Sequence, residues 1–439
     1  MKKILVLLLI LIPVSMIQAE NEIIQNFQLS FSTFSEMDNL EDTSWESAFL
    51  WEPEVYAYGE NMELYFQPKL WFPMKSTDES YIDIKELKLS WFPSGSITLD
   101  AGQYQHESSF AAFFGQTDFF KVTDYTALIQ GDFEDASIPS WLIDLTFYWN
   151  NVYLRGSIEP FREDIPFFSP NSPWFPNLGF PEEIASPFAP DGKIELESIY
   201  LLQPVGQDSL TELQKNMGGA LEFGGSTGLF DFLFLLYRGR DTAPLFAAEV
   251  VLQGLFEDYT VELHPLEERI TAFGAAVRTT AGPFVFYEEN SFLWNKPFLR
   301  DTYYATPSGF QTETYTSPYF GITVGGRFEG WKANLIAAAE YTNGFNLEEL
   351  YGTVMPFFQQ MSLANLTWSP FEGRFQFSLT GITAFEDGST ALNCGIRFSP
   401  GEGETFFSIS TPLFLGTEDS VFGQYRNILY PTFRAGLRL

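Results

Sequence analysis

Two rhythms run through this chain together, and they leave few folds open to it. Apolar and polar residues alternate with a period of two in run after run, the pattern of strands with one face against an apolar medium. The connections between runs alternate as well, one short and the next long. Runs are read near 23–34, 46–58, 62–72, 81–92, 97–105, 141–149, 152–159, 217–224 and 229–238. They continue near 271–279, 283–292, 320–328, 331–341, 361–368, 374–383, 391–398, 405–413 and 430–439. That makes about 18 strands, or 16–18 given loose boundaries. The short links include 59–61, 93–96, 150–151, 281–282 and 329–330; the long ones are 107–139, 161–216, 239–270, 293–318 and 343–360. A Greek-key sandwich does not keep such parity. An antiparallel up-and-down barrel, with turns at one rim and loops at the other, must keep it.

The clearest hairpin is expected at 320–341. Phe320, Ile322, Val324, Gly326 and Phe328 share one face, and Trp331, Ala333, Leu335, Ala337, Ala339 and Tyr341 continue it after Glu329-Gly330. The opposite face is small, polar or charged. Aromatics at both ends of an apolar strand face are what a membrane interface selects. Trp141, Phe147, Phe320, Leu335 and Leu366 are accordingly expected to face lipid. The fold class that follows is all-β, a transmembrane antiparallel β-barrel with short periplasmic turns and long extracellular loops.

Residues 1–19 read as a signal peptide: Lys2-Lys3, an apolar run from Ile4 to Ile12, and a cleavage site after Ala19. Residues 20–439 read as a single barrel domain. No other stretch is apolar enough for a transmembrane helix. The long segment 169–190, rich in Phe and Pro, is expected to fold over or into the barrel. Cys394 stands alone and shares the apolar face of Leu392, Ile396 and Phe398, so no internal disulfide is expected.

Acids outnumber bases, 57 to 24, for a formal charge of -33. Such acidity argues against nucleic acid or anionic lipid as a partner. With 18% aromatics the chain is too apolar in composition for disorder, so the charge belongs on loops and a wet interior. By parity Asp144, Arg155, Glu159, Asp231, Arg278, Glu289, Arg327, Lys332, Glu340, Arg374, Arg397, Arg434 and Arg438 face the lumen. A loop over 107–139 folded inward would bring Asp118, Asp124, Asp132 and Asp135 to a constriction and give a modest cation preference. His106 and His264 are too few and too far apart to suggest a metal site. No nucleophile is spaced to make His264, beside Glu262, Glu267 and Glu268, an active site. Neither catalysis nor a cofactor is expected.

Three segments resemble a porin-like family of bacterial outer-membrane proteins. The first joins Lys85-Glu86-Leu87, Leu99-Asp100-Ala101-Gly102-Gln103 and Gly115-Gln116-Thr117-Asp118-Phe119-Phe120-Lys121-Val122-Thr123-Asp124. The second runs through 218–234 to Tyr237-Arg238-Gly239-Arg240-Asp241 and Pro244, and the third takes in His264-Pro265, Phe273-Gly274-Ala275, Phe284-Val285-Phe286 and Glu289. Phe114 stands where the family has Trp, and Tyr287 where it has a basic residue. The ending Phe433-Arg434-Ala435-Gly436-Leu437-Arg438-Leu439 resembles the signal read by the barrel-assembly machinery. The resemblance implies an outer-membrane channel or export pore, with lipid and small solutes as partners. A passive pore for small hydrophilic solutes is the reading taken. A carrier of hydrophobic or lipid-like ligands and a barrel-anchored adhesin are the alternatives. The oligomeric state stays open, a homotrimer included.

Overall fold

The computed structural model describes residues 20–36, 39–74, 81–111, 113–124, 127, 136–161, 183–185, 193–201, 217–241, 246–253, 258–265, 268–300, 313–330, 334–346, 353–354, 360–400 and 405–438. Eighteen antiparallel strands form a closed barrel. They are β1 (Glu20–Glu36), β2 (Asn39–Tyr58), β3 (Met62–Pro73), β4 (Tyr81–Ser94), β5 (Ile97–Tyr104), β6 (Ser140–Trp149), β7 (Val152–Phe161), β8 (Gly218–Ser226) and β9 (Phe230–Arg240). The second half comprises β10 (Arg269–Ala281), β11 (Phe284–Arg300), β12 (Glu313–Gly330), β13 (Leu335–Asn346), β14 (Gln360–Trp368), β15 (Phe375–Ala384), β16 (Ser389–Phe398), β17 (Thr405–Leu415) and β18 (Thr432–Arg438). Each strand pairs with its sequence neighbours, and β18 closes on β1 with Phe433 opposite Phe31. Closure leaves no sheet edge, the condition for a β-structure to stand in hydrocarbon.

The exterior is apolar all the way round. Leu29, Phe31, Leu145, Phe147, Leu221, Phe234, Val324, Leu366, Leu379, Ile409 and Phe433 are all exposed. A soluble protein does not leave a continuous apolar surface on its strands. Large aromatics cluster at both rims: Trp91, Trp149, Phe284 and Trp368 near the short turns, Trp294, Phe345 and Phe385 near the loops. These are the two girdles of a transmembrane barrel.

Four details differ from the sequence reading. The hairpin expected to turn at Glu329-Gly330 keeps its pairing but turns later, since Gly330 pairs Leu335. Asn334 takes the left-handed conformation, φ 48°, which Asn tolerates. Lys332, with 331–333, lies outside the described residues, as does the signal segment 1–19. Trp141 does not face lipid; it is 4% exposed, packed in one apolar cluster with Leu87 and Phe161. Against β5 its register runs unbroken from Phe147, so it keeps the side of Ile143 and is covered there; the β6–β7 register shifts between Trp141 and Ile143. On the loop rim the β15–β16 link is tight, only 385–388. Two of the long links, 161–216 and 239–270, share a sheet of their own. Glu183–Ala185, Lys193–Leu201, Phe246–Gln253 and Asp258–Pro265 form a small sheet, with a parallel pairing of Lys193–Leu201 on Asp258–Pro265. His264 is part of this sheet, beside Glu249 and Glu262 at 3.5 and 3.8 Å.

The largest departure is inside the barrel. The inner face of β9 and β10 is apolar, not wet: Leu233, Leu235, Tyr237, Ile270, Ala272 and Ala276 are buried with Phe119 and Phe120 of the β5–β6 loop. Phe230, Phe234 and Leu236 meanwhile point outward, so β9 is apolar on both faces.

Candidate functional site

The β5–β6 loop enters the lumen and builds the site. Ser108 donates to the Thr117 carbonyl at 3.0 Å, and the single Thr117 hydroxyl proton is shared between the Ser108 carbonyl and Glu289. These two bonds tie 108–117 into a closed ring. The root of the loop is pinned by a two-residue ladder, Val122-Thr123 on Ser137-Ile138, and by Ser140 Oγ donating to the Phe120 carbonyl at 2.5 Å.

The ring is threaded by a carboxylate from the barrel wall. Glu289 on β11 is wholly buried and accepts six hydrogen bonds. One oxygen takes Ser109 Oγ at 2.8 Å, the Phe110 amide, and the Ala111 amide at 2.8 Å. The other takes the Gln116 amide at 2.8 Å, the Thr117 amide at 3.3 Å and Thr117 Oγ1 at 3.2 Å. A loop with no regular ladder must find partners for its amides, and here a side chain supplies them. Glu340 on β13 repeats the device, accepting the Phe113 and Phe114 amides at 3.2 and 3.1 Å and Tyr287 Oη at 2.6 Å. Gln116 bridges the same wall, donating to Thr342 at 3.0 Å and accepting from Ser291 at 2.8 Å. Gly325 leaves room for the Tyr287 ring, since a Cβ there would sit 2.4 Å from it.

At the loop's tip, Phe113 and Phe114 pack on a second apolar cluster of Leu363, Ile382, Ala391 and Phe414 with Phe422 and Tyr425. The last two belong to the β17–β18 loop, which also turns inward. Asp387 in the β15–β16 link fastens it, accepting the Val421 amide at 2.6 Å and Ser389 Oγ at 2.7 Å. Burial would raise the Asp387 carboxyl, but these donors outweigh it and hold the group below the usual range. The β5–β6 and β17–β18 loops thus cover inner-wall residues from β6 round to β16 at the loop end. Among the described residues a cavity of about 770 Å³ lies open beside Phe113. Its wall is more polar than apolar: hydroxyl and amide side chains such as Ser30, Ser408, Asn365 and Gln376 and several charged groups stand among apolar ones such as Leu50, Trp71 and Phe406.

The expected site residues divide into groups. Glu289 and Glu340 meet the loop and are consumed by it. Asp144 is buried under the loop's root, its Oδ2 3.6 Å from His106 Nε2, which also lies 3.2 Å from Ser157 Oγ. Burial holds the His106 imidazole well below its usual pKa. Arg155 is locked to Glu222 at 2.7 Å and donates to the Glu107 carbonyl at 2.9 Å. Asp231 and Arg278 pair at 2.6 Å, with the guanidinium over the Phe110 ring. Arg327 pairs Glu329 at 2.9 Å near the turn rim. Arg374 is not on a strand at all; it ends the short helical turn Phe371–Gly373, because the chain does not straighten until Phe375. Arg397, Arg434 and Arg438 line the cavity.

Of the four loop aspartates, Asp132 and Asp135 lie outside the described residues. Asp124 accepts the Ala127 amide at 3.2 Å. Asp118 is half-buried behind the ring with its Oδ1 out of solvent; that desolvation, opposed by Lys121 and helped by Glu289, pushes its carboxyl up to about 7. Lys69, Lys85 and Glu52 also line the cavity and were missed. Lys85 is turned inward by a bulge where Gln67 pairs Glu86 but Pro68 pairs Ile84. Pro68, which cannot donate to a ladder, was the available signal.

A closed barrel with an aromatic-girdled apolar exterior and a loop folded into its lumen defines a transmembrane β-barrel with a narrowed lumen. No protein-family model and no curated protein matches the sequence. Among solved structures it is similar to OccK8 (OprE) of Pseudomonas aeruginosa, at 8% identity over 96% of this chain and 98% of that one, TM-score 0.48. It is similar to Acinetobacter baumannii OccAB3, at 8% identity over 96% and 99%, TM-score 0.46. Salmonella typhi OmpF matches at 6% identity over 96% and 98%, TM-score 0.42. At these identities the likeness concerns the fold.

Proposed function

We propose that this protein is a passive outer-membrane channel for small hydrophilic solutes, narrowed by the β5–β6 loop. The observation that carries it is the cavity between Phe113 and the strand wall, lined mainly by hydroxyl, amide and charged side chains. A barrel closed throughout would have buried that wall; a carrier of lipid-like ligands would have lined it with apolar groups. Polar side chains that no packing demands are what a water-filled path needs.

The modest cation preference expected from the loop aspartates finds little support in their surroundings. Asp118 is turned behind the ring, where burial of its carboxyl raises its pKa to about 7 and weakens its charge. Selectivity then falls to the strand wall. Purified protein in planar bilayers should give stable conductance steps, and liposomes carrying it should swell in small sugars and not in large ones. Absence of both steps and swelling would refute the channel.

A further inference from the structure

One patch of the outer surface does not suit lipid. On β11 the side chains of Phe284, Phe286, Glu288 and Asn290 point outward, since Tyr287 and Glu289 between them are buried on the lumen side. Glu288 is exposed, and among the described residues its polar partner is Asn290, whose Nδ2 donates to Oε1 at 3.0 Å. It stands four residues from Phe284 at the turn girdle and six from Trp294 at the loop girdle. With a rise of about 3.3 Å per residue and a tilt of about 45°, the carboxyl lies roughly 9 Å from one girdle and roughly 14 Å from the other. At that depth a side chain as short as glutamate does not reach the headgroups.

The patch continues across the neighbouring strands. Glu288 pairs Val324 on β12, and Val324 pairs Tyr341 on β13. One row nearer the loops, Asn290 pairs Ile322, and Ile322 pairs Asn343. One row nearer the turns, Phe286 pairs Gly326, Gly326 pairs Ala339, and Ala339 pairs Ala364. Small residues thus leave a shallow hollow beside the polar group. On the far side of the barrel a row of the same outer face reads Phe147, Leu154, Phe223 and Phe234, all exposed and all bulky. Lipid alone favours that composition on every face, and any aliphatic residue at 288 would spare the fold a carboxyl in hydrocarbon.

We propose that the outer face of β11–β13 is an interface with a second copy of this chain, related by a two-fold axis along the membrane normal that passes beside Val324. Such an axis keeps every residue at its own depth and sets β11 of each copy against β13 of the other. Glu288 is six residues above Gly282 in its turn, and Ala339 is five above Asn334 in its own, so the two lie at nearly one depth. Ala339 and Gly326 leave room for the incoming carboxyl. The donor is the Tyr341 hydroxyl one step above, which is exposed and makes no hydrogen bond among the described residues. The contact is made twice, once on each side of the axis, and the two carboxyls stay apart. Close packing and hydrogen bonds are what hold transmembrane surfaces together, since lipid is as apolar as the protein. Each barrel keeps its own lumen, so the channel does not depend on the pairing.

The test counts copies and locates the contact. In sedimentation equilibrium of the detergent-solubilised barrel, the wild type should weigh two copies. Glu288→Leu/Asn290→Leu should raise the dissociation constant about tenfold, and Tyr341→Phe should shift it the same way. The double variant should be at least as stable as a single barrel, because no polar pair then meets lipid; unchanged heat-modifiable migration shows that each variant has folded. The contact is located by oxidation in dilute lipid vesicles, with Cys394→Ser removing the native thiol. In that background Val324→Cys should give a covalent dimer, and Leu221→Cys, exposed on β8 across the barrel, should not. A wild type of one copy or of three, an association unmoved by the double substitution, or no preference for Val324→Cys over Leu221→Cys would each overturn the interface.

Discussion

Replacing Glu289 by Ala should release the constriction loop while leaving the barrel whole. The carboxylate is wholly buried and takes four amides and two hydroxyls from 109–117. A hydrogen bond to a charged group contributes about 1.5–3 kcal/mol net. These six are not additive, because water can reach some donors once the loop lifts. If only two count in full, the loop loses about 3–6 kcal/mol, a shift of roughly 10²–10⁴ in its docking equilibrium. Glu340 and the Phe119–Phe120 cluster remain, so partial undocking is the expected outcome. Glu289→Gln should lie between, since one oxygen keeps its three donors and the new amide nitrogen faces the other three. The comparison is Glu329→Ala, whose partner Arg327 is as exposed as itself; it should cost no more than about 1 kcal/mol. Single-channel recordings should show larger, noisier steps for Glu289→Ala, and limited proteolysis should cut within 105–124. Wild-type conductance, noise and protease resistance together would refute the clamp.

Other consequences are as direct. Leu379→Arg, on the lipid face near the middle of β15, should destabilise the barrel in bilayers by about 2–4 kcal/mol. Ser378→Arg, its neighbour on the lumen wall, should cost far less, as urea titration would show. The Asp118 carboxyl is raised from its usual 3.8 to about 7, so the docked loop binds more protons than the undocked one between those values. Docking should therefore weaken as pH rises from 4 to above 7, and Asp118→Asn should abolish that trend in hydrogen exchange of the loop. Deleting 432–438 removes the strand that seals β1, exposing unpaired backbone to lipid at several kcal/mol per group. The truncated protein should fail to insert, and normal heat-modifiable migration would contradict this.

The strands were legible because lipid on one side and water on the other impose period two on every one of them. The loop's fate was not, for a physical reason. Its partners are backbone amides, which every residue carries, so the chain around 109–117 gives no sign that it will wrap a carboxylate. Parity placed Glu289 and Glu340 on the inner face but could not tell a carboxylate in water from one swallowed by a loop. One sign was present: in Phe232-Leu233-Phe234-Leu235-Leu236-Tyr237 the alternation fails, both faces being apolar. A barrel strand with an apolar inner face must be covered from inside. Lys85 was missed because it is the extra residue of a bulge in β4, opposite Gln67 and Pro68, which breaks the parity counted from the turn; Lys69 keeps the regular parity of Tyr65 and Gln67 along β3.

The closing seam has a consequence for the order in which the molecule is made. Ser32 Oγ and Thr432 Oγ1 lie 3.0 Å apart across it, yet 400 residues separate them along the chain. Bringing such distant ends together costs about 5 kcal/mol in chain entropy alone. The clamp on Glu289 spans a shorter interval, about 180 residues from Ser109, so it can form while the seam is still open. The lumen then acquires its furniture before its last wall, and β1 waits throughout as an unpaired edge. Catalysed insertion matters most at that edge: a helper that shelters β1 until β18 arrives removes the one slow, aggregation-exposed interval that this topology makes unavoidable.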